Sequence, residues 1–554
     1  MRAWVSQLLR ELNNGEQTFE KVKRIDTKKL PVQVGPPTSL LLLGLRLNAV
    51  QRLDMISKIG NDSLRLDSAK PMQSSHRITQ TIDPTTGDIR LDSQDYHNKL
   101  RYGADQRLAM KVDGTHGQFT VNGSVASVLG KAGYINTGPG DRKLTDKVVG
   151  TVISIGRDDP TTAEAQRAAT ILHILQGSEA LLDESPWIQN IWFPDSDNTT
   201  LLWPKEWKQT TQLPRMPLRP PPPQPSKRPL NASQQLAVNT MVSETDEHRI
   251  TIIQGPPGTG KTSVIASFVD VSVNSLNKDG IWLVAQSNVA VKNIAEKLIT
   301  SGFTKWKILY FAFRHEHIYE KAIEDYLIRS DQFFESTSKS KLSGVSVILC
   351  TLSMLSNKFI YKFTSHIPLR TLVVDEASQI EIGQYISVFS KFKTTLRKAC
   401  FIGDDKQLPP YGQEDLQDLQ SIFEVPHLKK SALFLDTQYR MPPQIGKIIS
   451  KAVYGNKLNS NPLHPVTDQV TACYFIDVGM GKESQASNGS FKNEYECQAV
   501  LQLAEKLQAK EIKFKIITPY AAQTTHIEES LKKENLNWAD KCFNVDAFQG
   551  FFFF

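Results

Sequence analysis

Several short clusters in the chain carry side chains whose types and spacing suit phosphate chemistry. Gly255-Pro256-Pro257-Gly258-Thr259-Gly260-Lys261-Thr262 fits the pattern G-x-x-x-x-G-K-[ST] in full. Glycines without Cβ atoms let backbone N–H groups curl around a triphosphate where a helix begins. In that setting Lys261 reaches the β- and γ-phosphates, and the Thr262 hydroxyl holds a Mg²⁺ that bridges them. Asp375-Glu376 follows the apolar run Thr371 to Val374. The first carboxylate suits the Mg²⁺ shell, and the second suits orienting and deprotonating the attacking water. Downstream, Gly403-Asp404-Asp405-Lys406-Gln407 offers an amide for the γ-phosphate, and Gln438-Tyr439-Arg440-Met441 offers Arg440 for transition-state charge with Tyr439 beside it for stacking on a base.

These residues need a scaffold that brings distant segments to one edge. From Ile250 onward apolar runs alternate with helical patterns: Ile250 to Ile253, Ile281 to Ala285, Val345 to Cys350, Leu372 to Val374 and Ala399 to Ile402. Such alternation predicts an α/β fold with a parallel sheet wrapped by helices. The chemically loaded residues follow these strands at their C-terminal ends, where open α/β sheets bind ligands.

With 554 residues and 40% hydrophobic content, the chain has material for several cores. Its longest aliphatic run, Leu40 to Leu43, is too short to cross a bilayer, and the N-terminus lacks a signal-peptide pattern. Cys350, Cys400, Cys473, Cys497 and Cys542 are scattered without C-x-x-C spacing, which argues against a zinc module or a disulfide framework and for the cytosol or nucleus. The net charge of +7 permits a polyanionic partner without requiring one, and no basic tail carries the excess.

Before the phosphate-loop region the signals are structural. Trp4, Val5, Leu8, Leu9 and Leu12 recur at helical spacing up to Asn13-Asn14-Gly15. From Gln33 to Lys147 the pattern is irregular α+β, with turn signals at Pro84 to Asp88, Asn122-Gly123 and Gly138 to Asp141. Val148 to Ile155 predicts a strand, and Asp159-Pro160 opens a helix that runs to Gly177. Trp187, Trp192, Trp203 and Trp207 suit burial in a core, with stacking on nucleobases as the alternative. Pro214, Pro217, Pro220 to Pro223, Pro225 and Pro229 make a stiff linker. The expected organisation is therefore an accessory region 1–213, a proline-rich linker 214–229, a first lobe 230–428 and a second lobe 429–554.

Taken together, the region from Leu230 to Gly550 resembles the superfamily 1 helicases of the up-frameshift and senataxin group. Leu230-Asn231-Ala232-Ser233-Gln234 is similar to the Q motif, Ala285 to Val291 to motif Ia, and Asp375 to Gln379 to motif II; the Gln407 and Arg440 segments are similar to motifs III and IV. Ile516 to Tyr520 with Gln523 resembles a later segment of the second lobe, and Val545 to Gly550 the start of motif V. The resemblance implies two RecA-like lobes with ATP and Mg²⁺ in the cleft and single-stranded RNA or DNA across the top, moved in the 5′-to-3′ sense. It implies that Gln234 reads the adenine edge and Tyr439 stacks on the ring. Lys261, Thr262, Asp375, Glu376, Gln407 and Arg440 then serve the triphosphate, the metal and the water. Ser287, Asn288, Thr351 and Thr518 become the contacts to the strand's backbone, sequence-independent by nature.

Departures are few. Lys292 stands where relatives carry an acid, Pro442 where they carry histidine, and His315-Glu316-His317 lacks the spacing of a helical zinc site. Gly550 runs into Phe551 to Phe554, where the family continues to motif VI and a second catalytic arginine. The expectation on sequence is an incomplete second lobe, as in a gene fragment, and the alternative to a working motor is an ATP- and nucleic-acid-binding protein with impaired turnover. An unrelated phosphate-loop enzyme such as a kinase would leave Gln234, Gln407 and Gln438 to Arg440 unexplained together.

Overall fold

The computed structural model describes residues 52, 54–68, 73–82, 89–93, 107–114, 117–129, 132–137, 148–156, 162–176, 182, 184–194, 203–207, 229–310, 321–329, 338–357, 359–410, 412–416, 418–466, 476–486, 490–539 and 541–545. The expected helix around Trp4 to Leu12, most of the proline run, His315 to His317 and the stretch Asp546 to Phe554 lie outside these residues.

The stretch read as irregular supplies five of the six strands of a closed antiparallel barrel, and the expected strand Val148–Ile155 supplies the sixth. Its strands are β1 (Gln73–Ile82), β2 (Ile89–Ser93), β3 (Arg107–Gly114), β4 (Gly117–Leu129), β5 (Ala132–Thr137) and β6 (Val148–Ile155), in the order β1-β2-β5-β4-β3-β6 with β1 closing on β6. Ile78, Leu91, Leu108, Met110, Val121, Val125, Ile135 and Val152 fill its interior. Asn122-Gly123, expected as a turn, lies inside β4. Gly123 pairs with Leu108 on one side and Thr137 on the other, at the place where β4 passes from one partner strand to the next. A glycine within a strand marks such a bend as readily as a turn, and the partners decide which.

The second unit is a sheet of eight parallel strands: β7 (Ile250–Gln254), β8 (Ile281–Ala285), β9 (Trp306–Tyr310), β10 (Leu327–Arg329), β11 (Val347–Thr351), β12 (Thr371–Asp375), β13 (Lys398–Gly403) and β14 (Leu433–Phe434). Their order is β10-β9-β11-β8-β12-β13-β7-β14. Every residue of β8 and β13 is buried, as strands covered on both faces require. On β8, Ile281, Leu283 and Ala285 face the helices Ala232–Val242, Lys261–Asp270 and Asn288–Thr300. Trp282 and Val284 face the other way, into a core shared with Trp187, Trp203, Trp207 and Phe389.

This sharing bears on the tryptophans and on the region before the prolines. Trp187 stacks on Phe389 at 5.8 Å between centroids and meets Trp203 edge-on at 4.8 Å. Three of the four rings are thus buried packing groups, closed to a nucleobase, and Trp192 packs against the same core. The helices 54–68, Thr162–Leu175 and Pro186–Trp192 likewise contribute Ile56, Ile59, Ile171, Ile174, Ile188 and Ile191 to the sheet's core. Residues expected to stand as one accessory region therefore divide between two cores, the barrel's own and one face of the sheet.

Beyond β14 the described residues form three strand pairs: β15 (Thr437–Gln438) with β16 (Asn459–Ser460), β17 (Glu483–Gln485) with β18 (Phe491–Asn493), and β19 (Ile516–Thr518) with β20 (Cys542–Asn544). The first and last are parallel. Helices Pro443–Val453, Glu494–Ala509 and Ala521–Lys533 accompany them, with Cys497, Ala504, Ile527, Leu531 and Cys542 as a small core.

Candidate nucleotide site

β7 delivers the chain to the glycine-rich loop, and the Gly255 N–H donates to the Gly403 carbonyl (2.8 Å), continuing the pairing with β13 past the strand's end. Gly258 and Gly260 have φ of +76° and +85°, a region that L side chains rarely adopt. Both are also crowded. A Cβ on Gly258 would lie 2.5 Å from the Arg440 Cβ, and one on Gly260 would lie 2.6 Å from the Gln234 amide nitrogen. Thr259 Oγ1 donates to the Pro256 carbonyl (2.8 Å), which fixes the loop's shape ahead of the helix Lys261–Asp270.

Lys261 turns back on this loop. Its ammonium donates to the Gly255 carbonyl (3.1 Å) and lies 3.5 Å from Glu376 Oε1. Glu376 sits at φ +51°, in the left-handed region where a non-glycine residue is strained, and its Oε2 is buried with no hydrogen-bond partner among the described residues. An acceptor held in that way suits a water molecule. Asp375 accepts the Glu376 backbone N–H (3.0 Å) and is buried. Burial first, then the neighbouring Glu376, push its carboxyl up to about 7, against the pull of Lys261.

The segment beyond β14 enters through Arg440. The Tyr439 N–H donates to the Gly258 carbonyl (2.9 Å), which presses Arg440 against the loop. Burial lowers the Arg440 guanidinium from its ordinary value while Glu376 opposes that shift. Gln438 positions this segment from within: its amide donates to the Met441 carbonyl (2.8 Å) and accepts the Met441 N–H (2.7 Å).

Gln234 and Tyr439 are held from the same corner. Asn231 caps the helix Ala232–Val242 in a reciprocal box with Gln234, whose Oε1 accepts the Asn231 N–H (3.0 Å) while its Nε2 donates to the Thr259 carbonyl (2.8 Å). Those two bonds use one lone pair and one hydrogen of that amide. Asn231 Nδ2 also donates to the Tyr439 hydroxyl (2.8 Å), and the Ser233 hydroxyl donates to Asp436 (2.8 Å). Neither Asn231 nor Asp436 stood out in the sequence except as neighbours of Gln234 and Gln438.

Gln407 donates through Nε2 to Asp404 Oδ2 (2.8 Å), and Asp404 is fully buried. Ser287 caps the helix Asn288–Thr300 and Thr351 caps the helix Leu352–Leu355, at the ends of the neighbouring strands β8 and β11. Asn288 opens the first of these helices. Thr518 stands apart from them, buried at the end of β19. Gln523 is structural: its amide exchanges hydrogen bonds with the Asn493 backbone (2.7 and 3.1 Å).

Two family models, each described as an AAA domain, match residues 234–413 and 416–551. ECM32 of Saccharomyces cerevisiae is 27% identical over 361 residues, 55% of this chain and 31% of its own length. The ATP-dependent helicase NAM7 of the same yeast is 26% identical over 382 residues, 58% of this chain and 37% of its own. Senataxin of Homo sapiens is 30% identical over 234 residues, 37% of this chain and 9% of its own. Over these segments the chain is similar to the superfamily 1 helicases of the up-frameshift and senataxin group. It spans under half the length of each of these helicase relatives. The matched segments begin at Gln234 and take in the loop, Asp375-Glu376, Gln407 and Arg440.

Proposed function

We propose that this chain is an ATP-dependent helicase or translocase that couples ATP hydrolysis between two RecA-like lobes to movement along single-stranded RNA or DNA, 5′ to 3′. The observation that carries the reading is the convergence of Glu376 and Arg440, from two distant segments, on the loop that carries Lys261. The first lobe is the eight-stranded sheet, which takes in β14 beyond the expected boundary at 428 and helices from 54–68, 162–175 and 186–192; the second lobe is the segment after β14, and the barrel is accessory to them.

Triphosphate binding draws Lys261 away from the Gly255 carbonyl and Glu376 onto the β- and γ-phosphates. Glu376 is thereby released, and its Oε2 accepts a proton from the attacking water. Arg440, already against Gly258, stabilises the charge of the transition state; such arginines are worth about 10³ to 10⁵ in rate. Gln234 and Tyr439 hold the adenine. Thr262 and Asp375 fit a Mg²⁺ site, because a hydroxyl and one carboxylate are the hard oxygen donors that this ion takes alongside phosphates. Bound there, the ion neutralises phosphate charge. Closing on ATP and opening after hydrolysis shifts the strand against Ser287, Asn288, Thr351 and Thr518.

Direction is tested by unwinding duplexes that carry a 5′ or a 3′ single-stranded tail. The reading expects ATP-dependent unwinding from the 5′ tail only, and preference for the 3′ tail would overturn it.

A further inference from the structure

The buried carboxylate of Asp404 accepts four hydrogen bonds close to the loop. Its Oδ1 accepts the Lys406 N–H (3.2 Å) and the Gln254 amide (3.5 Å), while its Oδ2 accepts the Gln407 amide (2.8 Å) and the Tyr454 hydroxyl (2.5 Å). Its own backbone N–H donates to Ser378 Oγ (3.2 Å), just past Asp375-Glu376. Every partner but one comes from the eight-stranded sheet or its loops. Tyr454 comes from beyond Arg440, at the end of the helix Pro443–Val453.

That helix has 11 residues and is thus about 16 Å long. Near its start Tyr439 bonds the Gly258 carbonyl, and at its end Tyr454 bonds Asp404. Two anchor points, one just before Arg440 and one at the far end of the helix, fix the direction of the segment 439–454 that carries Arg440. A buried tyrosine needs no hydroxyl to pack, and the ring already lies 6.3 Å from Phe434. The hydroxyl serves the carboxylate, and hydrogen bonds to an ionised acceptor are roughly twice as strong as neutral ones. Burial and the Asp404 carboxylate both push the phenol above its ordinary value, so it stays a donor throughout the neutral range.

We propose that Tyr454 is a positioning residue for ATP hydrolysis: its hydroxyl fixes Asp404 Oδ2, and through that oxygen the Gln407 amide, so that Gln407 is aligned only when the second lobe is docked. The inference rests on the function proposed above and adds a residue to it. Because Gln407 and Tyr454 share one oxygen atom, withdrawal of the second lobe removes half of what that oxygen receives. Alignment of the amide and approach of Arg440 are thereby a single event.

The test is Tyr454→Phe in the full chain, with kcat and KM for ATP measured in the presence of single-stranded RNA, and affinities measured for ADP and for a non-hydrolysable ATP analogue with Mg²⁺. The expected result is a kcat lowered roughly ten-fold or more, as loss of a charged hydrogen bond implies, with KM and ADP affinity within about two-fold of the parent. Asp404→Asn should reproduce it. Adding Gln407→Ala to Tyr454→Phe should cost little beyond either change alone, because residues acting as a unit are not additive. A KM that rises at constant kcat, an unchanged kcat, or losses that multiply would each overturn the inference and leave the motor reading intact. If the parent itself shows no turnover, the motor reading is what has failed, and the ratio of analogue to ADP affinity then decides. Tyr454→Phe should lower that ratio, and an unchanged ratio overturns the inference.

Discussion

Replacing Arg167 by methionine should destabilise the sheet unit far more than any surface charge would. Arg167 lies on the helix Thr162–Leu175, which follows the last barrel strand, and its Nη1 donates to Glu381 Oε2 at 2.6 Å with both side chains only 4% exposed. Its Nη2 donates to Ser63 of the helix 54–68 (2.7 Å), and Glu381 Oε1 accepts the Gly383 N–H (2.6 Å). Burial pushes the Glu381 carboxyl above its usual range, and Arg167 is the largest influence holding it down. Removing one partner therefore strands the other without its counter-charge, which costs about 3–5 kcal/mol in buried pairs. At about 2–4 °C per kcal/mol for a unit of this size, melting should fall by on the order of 10 °C. Glu381→Leu should do the same. The double variant Arg167→Met with Glu381→Leu should recover at least about 2 kcal/mol of the summed loss, since apolar replacement of a whole buried pair is often neutral. Lys292 and Glu296, a partly exposed i,i+4 pair at 3.3 Å on the surface of one helix, provide the contrast: Lys292→Met should change stability by under about 1 kcal/mol. Scanning calorimetry on the full chain reads all four variants. If Arg167→Met costs no more than Lys292→Met, or the double loss equals the sum, the pair does not hold these helices to the segment after Glu376.

Gly258→Ala should weaken binding of a fluorescent ATP analogue by at least about ten-fold, because it adds a clash with Arg440 to a left-handed backbone. Gly302→Ala is the control, with φ +74° but open space around it, and should leave that affinity unchanged. Lys398 donates to the carbonyls of Thr240, Ser243 and His248 (3.0, 2.8 and 2.6 Å), so Lys398→Met should lower stability in urea by about 2–4 kcal/mol. Burial lowers the Lys398 ammonium from 10.5 to about 8, so between those values the unfolded chain holds the proton more tightly. Stability from this group then rises with pH, and the gap between parent and Lys398→Met should widen from pH 7.5 to pH 9.5. A narrowing gap would contradict the assignment.

The reach of the sequence follows from how local each signal is. Runs read as Ile250 to Ile253, Ile281 to Ala285 and Ala399 to Ile402 became β7, β8 and β13 within a residue or two, because strands covered on both faces are continuously apolar. The strand and helix around Val148 to Gly177 were equally legible. The barrel was not, since its closure pairs Ser75 with Ile153, a contact that no local pattern encodes. Lys261 and Glu376 were legible because the loop pattern and a strand ending in two carboxylates prescribe their neighbours. Tyr454 was not: it closes an ordinary amphipathic helix, and only the fold brings its hydroxyl to Asp404.

The central claim, that Lys261, Glu376 and Arg440 form one hydrolytic centre driven by a nucleic-acid strand, is tested most directly by steady-state ATP hydrolysis with and without single-stranded RNA or DNA. The account predicts turnover that rises on adding the strand and is abolished by Lys261→Ala and by Glu376→Gln, with Glu376→Gln still binding nucleotide. Turnover that survives both substitutions, or nucleotide binding by the parent with no turnover under any strand, would contradict it.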